Sequence, residues 1–159
     1  MKDRETLEAI WWSGVNRVRG HDCVLRYLKQ SKTFKPTHIA AVGKAAFSMA
    51  QAALDHCGQS LPALVVTKYG HIDGDISAYE NLNAIESGHP VPDENSLLGG
   101  QALQDFVSDA GKDATLLLLV SGGTSSLAEK LSHTVTLDDL QRLNNQMLAD
   151  GFDIHAINV

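Results

Sequence analysis

Three short stretches of the chain are apolar almost without interruption, residues 39–42, 63–67 and 114–120, and a fourth strand-like stretch, 83–86, holds Ala84 and Ile85 between Asn83 and Glu86. Runs of this length, bounded by glycine, proline and polar residues, predict buried strands rather than helices. Between them the apolar positions change rhythm. Phe47, Ala50, Leu54 and Cys57 recur at helical spacing, as do Leu97, Leu98, Ala102, Leu103, Phe106 and Val107, and then Leu137, Leu140, Leu143, Met147 and Leu148. The first of these helices is expected to begin near Lys44 and to end before Gly58. Asp93 is placed to cap the second, and Thr136 with Asp139 three residues later resembles a capping box for the third, which Gly151 stops. A shorter helix is expected over residues 127–131. Gly99 and Gly100 weaken the second helix by about 1 kcal/mol each relative to alanine, unless close packing needs them.

Ahead of the first strand, Leu7, Ile10, Trp11, Gly14, Val15 and Val18 share one face, which predicts an amphipathic helix from about Arg4 to Val18. Its position on that stripe assigns Trp11 to core packing. Gly20 should end this helix and Asp22 should cap a second, carrying Val24, Leu25, Tyr27 and Leu28. Strands alternating with helices imply an α/β fold: an open, mainly parallel sheet with helices on both faces, a Rossmann-like three-layer arrangement. No repeat or linker divides the 159 residues, so a single domain is expected. The last eight residues are half apolar with no polar tail, so the reading includes truncation at the C-terminal side.

Composition narrows the possibilities. The formal charge is −6 and the 13 basic residues are scattered, which argues against a nucleic-acid partner. No apolar run approaches the ~20 residues of a membrane helix, and the charged N-terminus is not a signal peptide. Cys23 and Cys57 show neither metal-ligand nor disulfide spacing, so a cytoplasmic setting is expected.

The candidate chemistry lies where strands end. The run 114–120 leads into Ser121, Gly122, Gly123, Thr124, Ser125 and Ser126, a loop rich in N–H and hydroxyl donors at the carboxyl end of a strand, where α/β proteins bind anions. A plain flexible turn is the competing reading. The run 39–42 leads into Gly43 and Lys44. This is not a Walker loop: Ala45 replaces the required Ser or Thr, and His38 stands where the first glycine belongs. A lysine at a helix start is electrostatically unfavourable unless it meets an anion, which singles out Lys44 over a solvated surface role. The third strand enters a loop stiffened by Pro90 and Pro92, which hold His89 as a polar candidate, while Asp93 reads first as a helix cap. Asp73 and Asp75 read as turn residues. No Gly-x-Ser-x-Gly occurs, because Leu127 closes the last candidate.

Together these motifs resemble a known family. Val42-Gly-Lys-Ala-Ala46, Val65-Val-Thr-Lys-Tyr-Gly-His71, Glu86-Ser-Gly-His-Pro-Val-Pro-Asp-Glu94, Leu119-Val-Ser-Gly-Gly-Thr-Ser-Ser-Leu127 and Asp153-Ile-His-Ala-Ile-Asn158 occur in that order. The chain, from about Val24 onward, is similar to the N-terminal domain of the glycerate 2-kinases with a C-terminal MOFRL domain, some of which are labelled hydroxypyruvate reductases. The resemblance implies ATP-dependent phosphorylation of D-glycerate at its 2-hydroxyl, with Mg²⁺ accompanying ATP and the active site between two domains, the second absent here. It implies Lys44 as the catalytic cation. Gly43, the loop from Ser121 to Ser126, His89 and Asp93 become substrate or phosphate ligands, with nucleotide phosphate and glycerate carboxylate both open for the loop. Glu86 and Asp93 are candidate Mg²⁺ ligands, and His89 is a candidate base. Thr124 departs from the third glycine of many relatives. Two alternatives stand beside the kinase. One is a hydroxypyruvate reductase, for which no Gly-x-Gly-x-x-Gly follows any strand. The other is a truncated, non-catalytic fragment. Apolar surface meant for a second domain would favour homo-oligomers.

Overall fold

The computed structural model describes residues 2–31 and 33–153. Four strands, β1 (His38–Val42), β2 (Ala63–Lys68), β3 (Leu82–Ser87) and β4 (Leu116–Val120), form one all-parallel sheet in the order β3-β2-β1-β4. Helices α1 (Lys2–Arg17) and α2 (Gly20–Gln30) precede the sheet, and α3 (Ala46–Cys57) joins β1 to β2. After β3 come α4 (Glu94–Asp109), then β4, a single turn α5 (Thr124–Leu127), and α6 (Leu137–Ala149). The open α/β architecture expected from the strand-helix alternation is therefore present.

Handedness explains the layering. The chain steps from β1 outward to β2, then returns from β3 across the sheet to β4, so right-handed crossovers place α3 and α4 on opposite faces. One face buries Ile39, Ala41 and Val65 against Val24 and Leu28 of α2 and Phe47, Ala50 and Leu54 of α3. Alanines at 46, 50, 52 and 53 let α3 lie close to the strands. The other face packs Val42, Leu64, Val66 and Leu127 against Ala102, Leu103 and Phe106 of α4.

The two glycines of α4 are there for packing. A Cβ on Gly99 would lie 2.7 Å from Val66 Cγ1, and one on Gly100 would collide with the Glu129 carbonyl. The chain after β4 thus runs directly over α4, held by Glu129 N–H donating to Ser96 O at 2.9 Å.

Several sequence expectations need correction. β4 is an edge strand, not one buried on both faces: Leu119 is buried, but Leu118 and Val120 are more than half exposed. It also starts at Leu116 rather than residue 114. No residue of α1 is buried, and Trp11 is 68% exposed instead of lying in the core. An apolar stripe shows that a helix face suits a partner, without placing that partner among the described residues. Gly20 opens α2 rather than ending α1, and Asp22 lies in the first turn of α2, where Arg19 is the cap residue. The helix expected over 127–131 is instead the single turn α5, which begins inside the glycine loop because left-handed Gly123 (φ +93°) reverses the chain at its start.

Candidate functional site

Sheet register brings the motifs together. Val42 pairs with both Val66 and Val120, so the next residues, Gly43, Thr67 and Ser121, stand side by side, with Glu86 opposite Thr67. All four therefore sit at the carboxyl edge. Between β1 and β4 the strand order reverses direction, which is where open α/β sheets place ligands.

The β1 and β4 turns are locked to each other. Lys44 N–H donates to Gly122 O at 3.0 Å, and Ala45 N–H donates to Ser121 Oγ at 3.1 Å. Gly43 adopts φ +119°, its N–H donates to Val66 O, and its carbonyl accepts from the buried Thr67 hydroxyl at 2.9 Å. Thr124 Oγ1 donates to Ser121 O at 2.8 Å, so the hydroxyl at this departure from the family pattern braces the loop. Ser126 Oγ donates to Gly123 O at 3.1 Å. Ser121, Thr124 and Ser126 thus serve the loop first. The exposed Ser125 and, among the described residues, the unbonded N–H groups of Gly122 and Gly123 remain as donors for a ligand. The Lys44 backbone is fixed while its side chain reaches solvent.

His71 holds this arrangement from the β2 side. Its Nδ1 lies 2.9 Å from Lys44 O, which can only accept, so Nδ1 is the donor and, in the neutral form of the ring, Nε2 is the acceptor. His71 N–H donates to Glu86 Oε1 at 3.2 Å. Glu86 is therefore engaged with the β2 loop.

Asp93 is engaged more completely. Oδ1 accepts from Ser96 N–H at 3.0 Å in a capping box, and Oδ2 accepts from the Tyr69 hydroxyl at 2.8 Å. Burial alone would push its carboxyl up, but hydrogen bonds from Tyr69, Gly88 N–H and Ser96 outweigh it and hold Asp93 below its ordinary value. The helix-cap reading fits this geometry. Asp93→Ala is expected to cost about 0.5–2 kcal/mol by urea denaturation, the range for losing an N-cap.

His89 lies against Gly123, where a Cβ would come within 2.9 Å of its Nε2. Burial, then the charges of Lys44 and Lys68, push His89 below its ordinary value. The unfolded chain therefore takes up this proton near pH 6.5, while the folded chain resists it. His89 contributes stability above pH 6.5 that is lost as pH falls toward the lower folded value. Urea midpoints measured from pH 7.5 to 5.5 should fall less in His89→Gln than in the unaltered chain.

Helix α6 forms a wall beside these groups. A cleft of about 500 Å³ is lined by Lys44, His89, Gly123, Ser125, Ser126 and Glu129, and on the α6 side by Leu140, Leu143, Asn144, Met147 and Leu148. Burial pushes the Glu129 carboxyl up. A second pocket of about 260 Å³ is lined by Lys44, Ser48, Gly70, His71 and Asp73. Lys44 is common to both. Sequence reasoning did not single out His71, Ser48, Glu129 or Asn144. The signals existed: His71 follows a strand end, and Asn144 is a polar interruption of an apolar helical stripe. Of the motif Asp153-Ile-His-Ala-Ile-Asn158, all but Asp153 lies outside the described residues. Among the described residues no three His, Cys, Asp or Glu side chains gather as a metal-ligand set. No helix among them is long and apolar enough to cross a membrane.

Fold and site define a Rossmann-like α/β module with an anion-suited edge built around one lysine. Residues 6–159 match the family described as "Domain of unknown function (DUF4147)", and the chain belongs to that family, the N-terminal domain of glycerate kinases. It is 41% identical over 121 residues to the D-glycerate 2-kinase of Thermotoga maritima, covering 76% of this chain and 28% of that protein. The crystal structure of a glycerate kinase from the same organism superposes with a TM-score of 0.80 at 32% identity, covering 98% of this chain and 37% of that one. A relative from Agrobacterium vitis, 36% identical over 122 residues (76% of this chain, 30% of that protein), bears a hydroxypyruvate reductase name. The chain spans about a third of the length of these relatives.

Proposed function

We propose that this chain supplies the N-terminal half of an ATP-dependent glycerate 2-kinase site, acting in the cytoplasm on D-glycerate, with the remainder of the site on a C-terminal domain of MOFRL type. The observation that carries this reading is Lys44, pinned through its backbone where the β1 and β4 turns interlock and lining both pockets at the carboxyl edge.

Phosphoryl transfer depends mainly on positioning and on neutralising charge on the phosphoryl oxygens. Lys44 provides the positive charge, with Ser125 and the Gly122 and Gly123 N–H groups as further donors. His71, oriented by the Lys44 carbonyl, offers Nε2 to take the proton of the glycerate 2-hydroxyl. When bound, Mg-ATP supplies the phosphoryl group. No described carboxylate cluster forms a cage for Mg²⁺, and Glu86 and Asp93 are already engaged, so this chain is assigned no metal ligand. A reductase finds less support, because, counted from Gly43, Ala45 and Ser48 stand where a dinucleotide fingerprint has its second and third glycines.

The test joins this chain to the remaining part of the Thermotoga maritima D-glycerate 2-kinase and follows Mg-ATP and D-glycerate by phosphorus NMR. The expected product is 2-phosphoglycerate. A folded chimera that leaves both reactants untouched, or that oxidises NADH with hydroxypyruvate, would overturn the assignment.

A further inference from the structure

The two pockets flanking Lys44 differ in size and chemistry, and that difference allocates the ligands of the kinase reading on which this inference rests. Pockets for drug-sized ligands measure about 300–1,000 Å³. The cleft beside α6, at about 500 Å³, falls within that range, whereas the pocket beside His71, at about 260 Å³, falls below it and suits a three-carbon acid. The cleft has an apolar wall on α6 and a polar floor of Lys44, Ser125 and Ser126, matching a flat base joined to an anionic chain. The smaller pocket has no such wall. Ser48, His71 and Asp73 offer hydroxyl, imidazole and carboxylate to a ligand carrying hydroxyls, with the Lys44 ammonium between it and the cleft.

Asn144 adds selectivity. Its Nδ2 donates to Leu140 O at 3.0 Å, which leaves Oδ1 as an acceptor without a partner among the described residues, on the apolar side of the cleft. An acceptor there suits the 6-amino group of adenine and opposes the 6-oxo group of guanine. Glu129, on the same lining, offers its carboxylate to ribose hydroxyls.

We infer that the cleft beside α6 seats the nucleotide, its purine against Leu140, Leu143 and Met147 with Asn144 selecting adenine, and that the pocket beside His71 seats the hydroxy acid. The glycine loop then faces nucleotide phosphate rather than glycerate carboxylate.

The chimera with the remaining part of the Thermotoga maritima D-glycerate 2-kinase is photolabelled with 8-azido-ATP and Mg²⁺, and the labelled peptide is mapped by mass spectrometry. The label is expected within residues 137–149. ATP should protect at concentrations about 10-fold or more below those of GTP, the scale of rejecting a mismatched hydrogen-bonding group, and excess D-glycerate should not protect. Leu143→Glu changes a residue already 55% exposed, and a melting curve checks that it folds. It should cut labelling about 10-fold, the effect of a polar group in an apolar subsite, and leave D-glycerate binding by ligand-observed NMR unchanged. Asn144→Leu should bring ATP and GTP protection within about threefold of each other, since the discriminating acceptor is gone. An ATP-protected label on another segment would overturn the allocation while leaving the nucleotide reading in place. Protection by D-glycerate would place both ligands in one pocket and overturn it too. Equal protection by ATP and GTP in the unaltered chimera would remove Asn144 as a selector. D-glycerate binding without any nucleotide label would overturn the kinase reading, and the allocation with it.

Discussion

Gly43→Ala is expected to destabilise the chain by about 3 kcal/mol or more, combining backbone strain of ~1–3 kcal/mol with overpacking of ~1–3 kcal/mol. Gly43 sits at φ +119°, a conformation L side chains rarely adopt, and a Cβ there would collide with Ser121 Oγ and lie 2.5 Å from Ser121 O. Relief would require the β4 turn to move away. That movement would break the Ala45 N–H to Ser121 Oγ bond and the Lys44 N–H to Gly122 O bond. Gly70→Ala is the informative control. Gly70 also has positive φ, at +72°, but nothing lies within 4 Å of its added Cβ, so only strain of about 1–2 kcal/mol is expected. Urea denaturation of both variants separates the two costs. Equal losses would mean that the turns are not interlocked as described.

Lys44→Ala is expected to lower the turnover of the chimeric kinase by about 10²-fold or more, a loss of ~2.7 kcal/mol or more in transition-state stabilisation. The side chain is exposed and its anchoring is all backbone, so the melting temperature should hardly change. The fall should appear mainly in kcat, because the ammonium is assigned to charge that spreads during transfer. Arginine is not an equivalent replacement, since its planar fork is wider than a compact ammonium. Near-normal turnover in Lys44→Ala would sink the role given to this residue.

Much of the fold was legible because it depends on local periodicity. The apolar runs and helical stripes identified all four strands and most of the helices, and the capping pairs at Asp93 and Thr136 formed as their spacing implied. What escaped was non-local. A run such as Leu116 to Val120 looks the same whether it lies at the centre of a sheet or at its edge, because pairing partners are not encoded in the run itself. Trp11 illustrates the same limit for helices. The candidate site divided along similar lines. Gly43, Lys44 and the glycine loop were visible because each follows a strand, and register then brought them together. That Thr124 and Ser121 would tie the loops, and that Asn144 would face the cleft, depended on tertiary placement.

The bond between Ala45 and Ser121 spans 76 residues of chain. Closing a flexible loop of that length costs roughly 4 kcal/mol in entropy beyond the constant for any closure. Everything from α3 through α4 lies inside the loop, so the anion-suited edge is complete only when β4 docks, the most non-local step in building the sheet. A ligand held between the two turns would grip both ends of this closure at once. Its binding free energy would oppose the peeling of β4 from β1, and occupancy would appear as resistance of the whole sheet edge to unzipping rather than as the quieting of one loop.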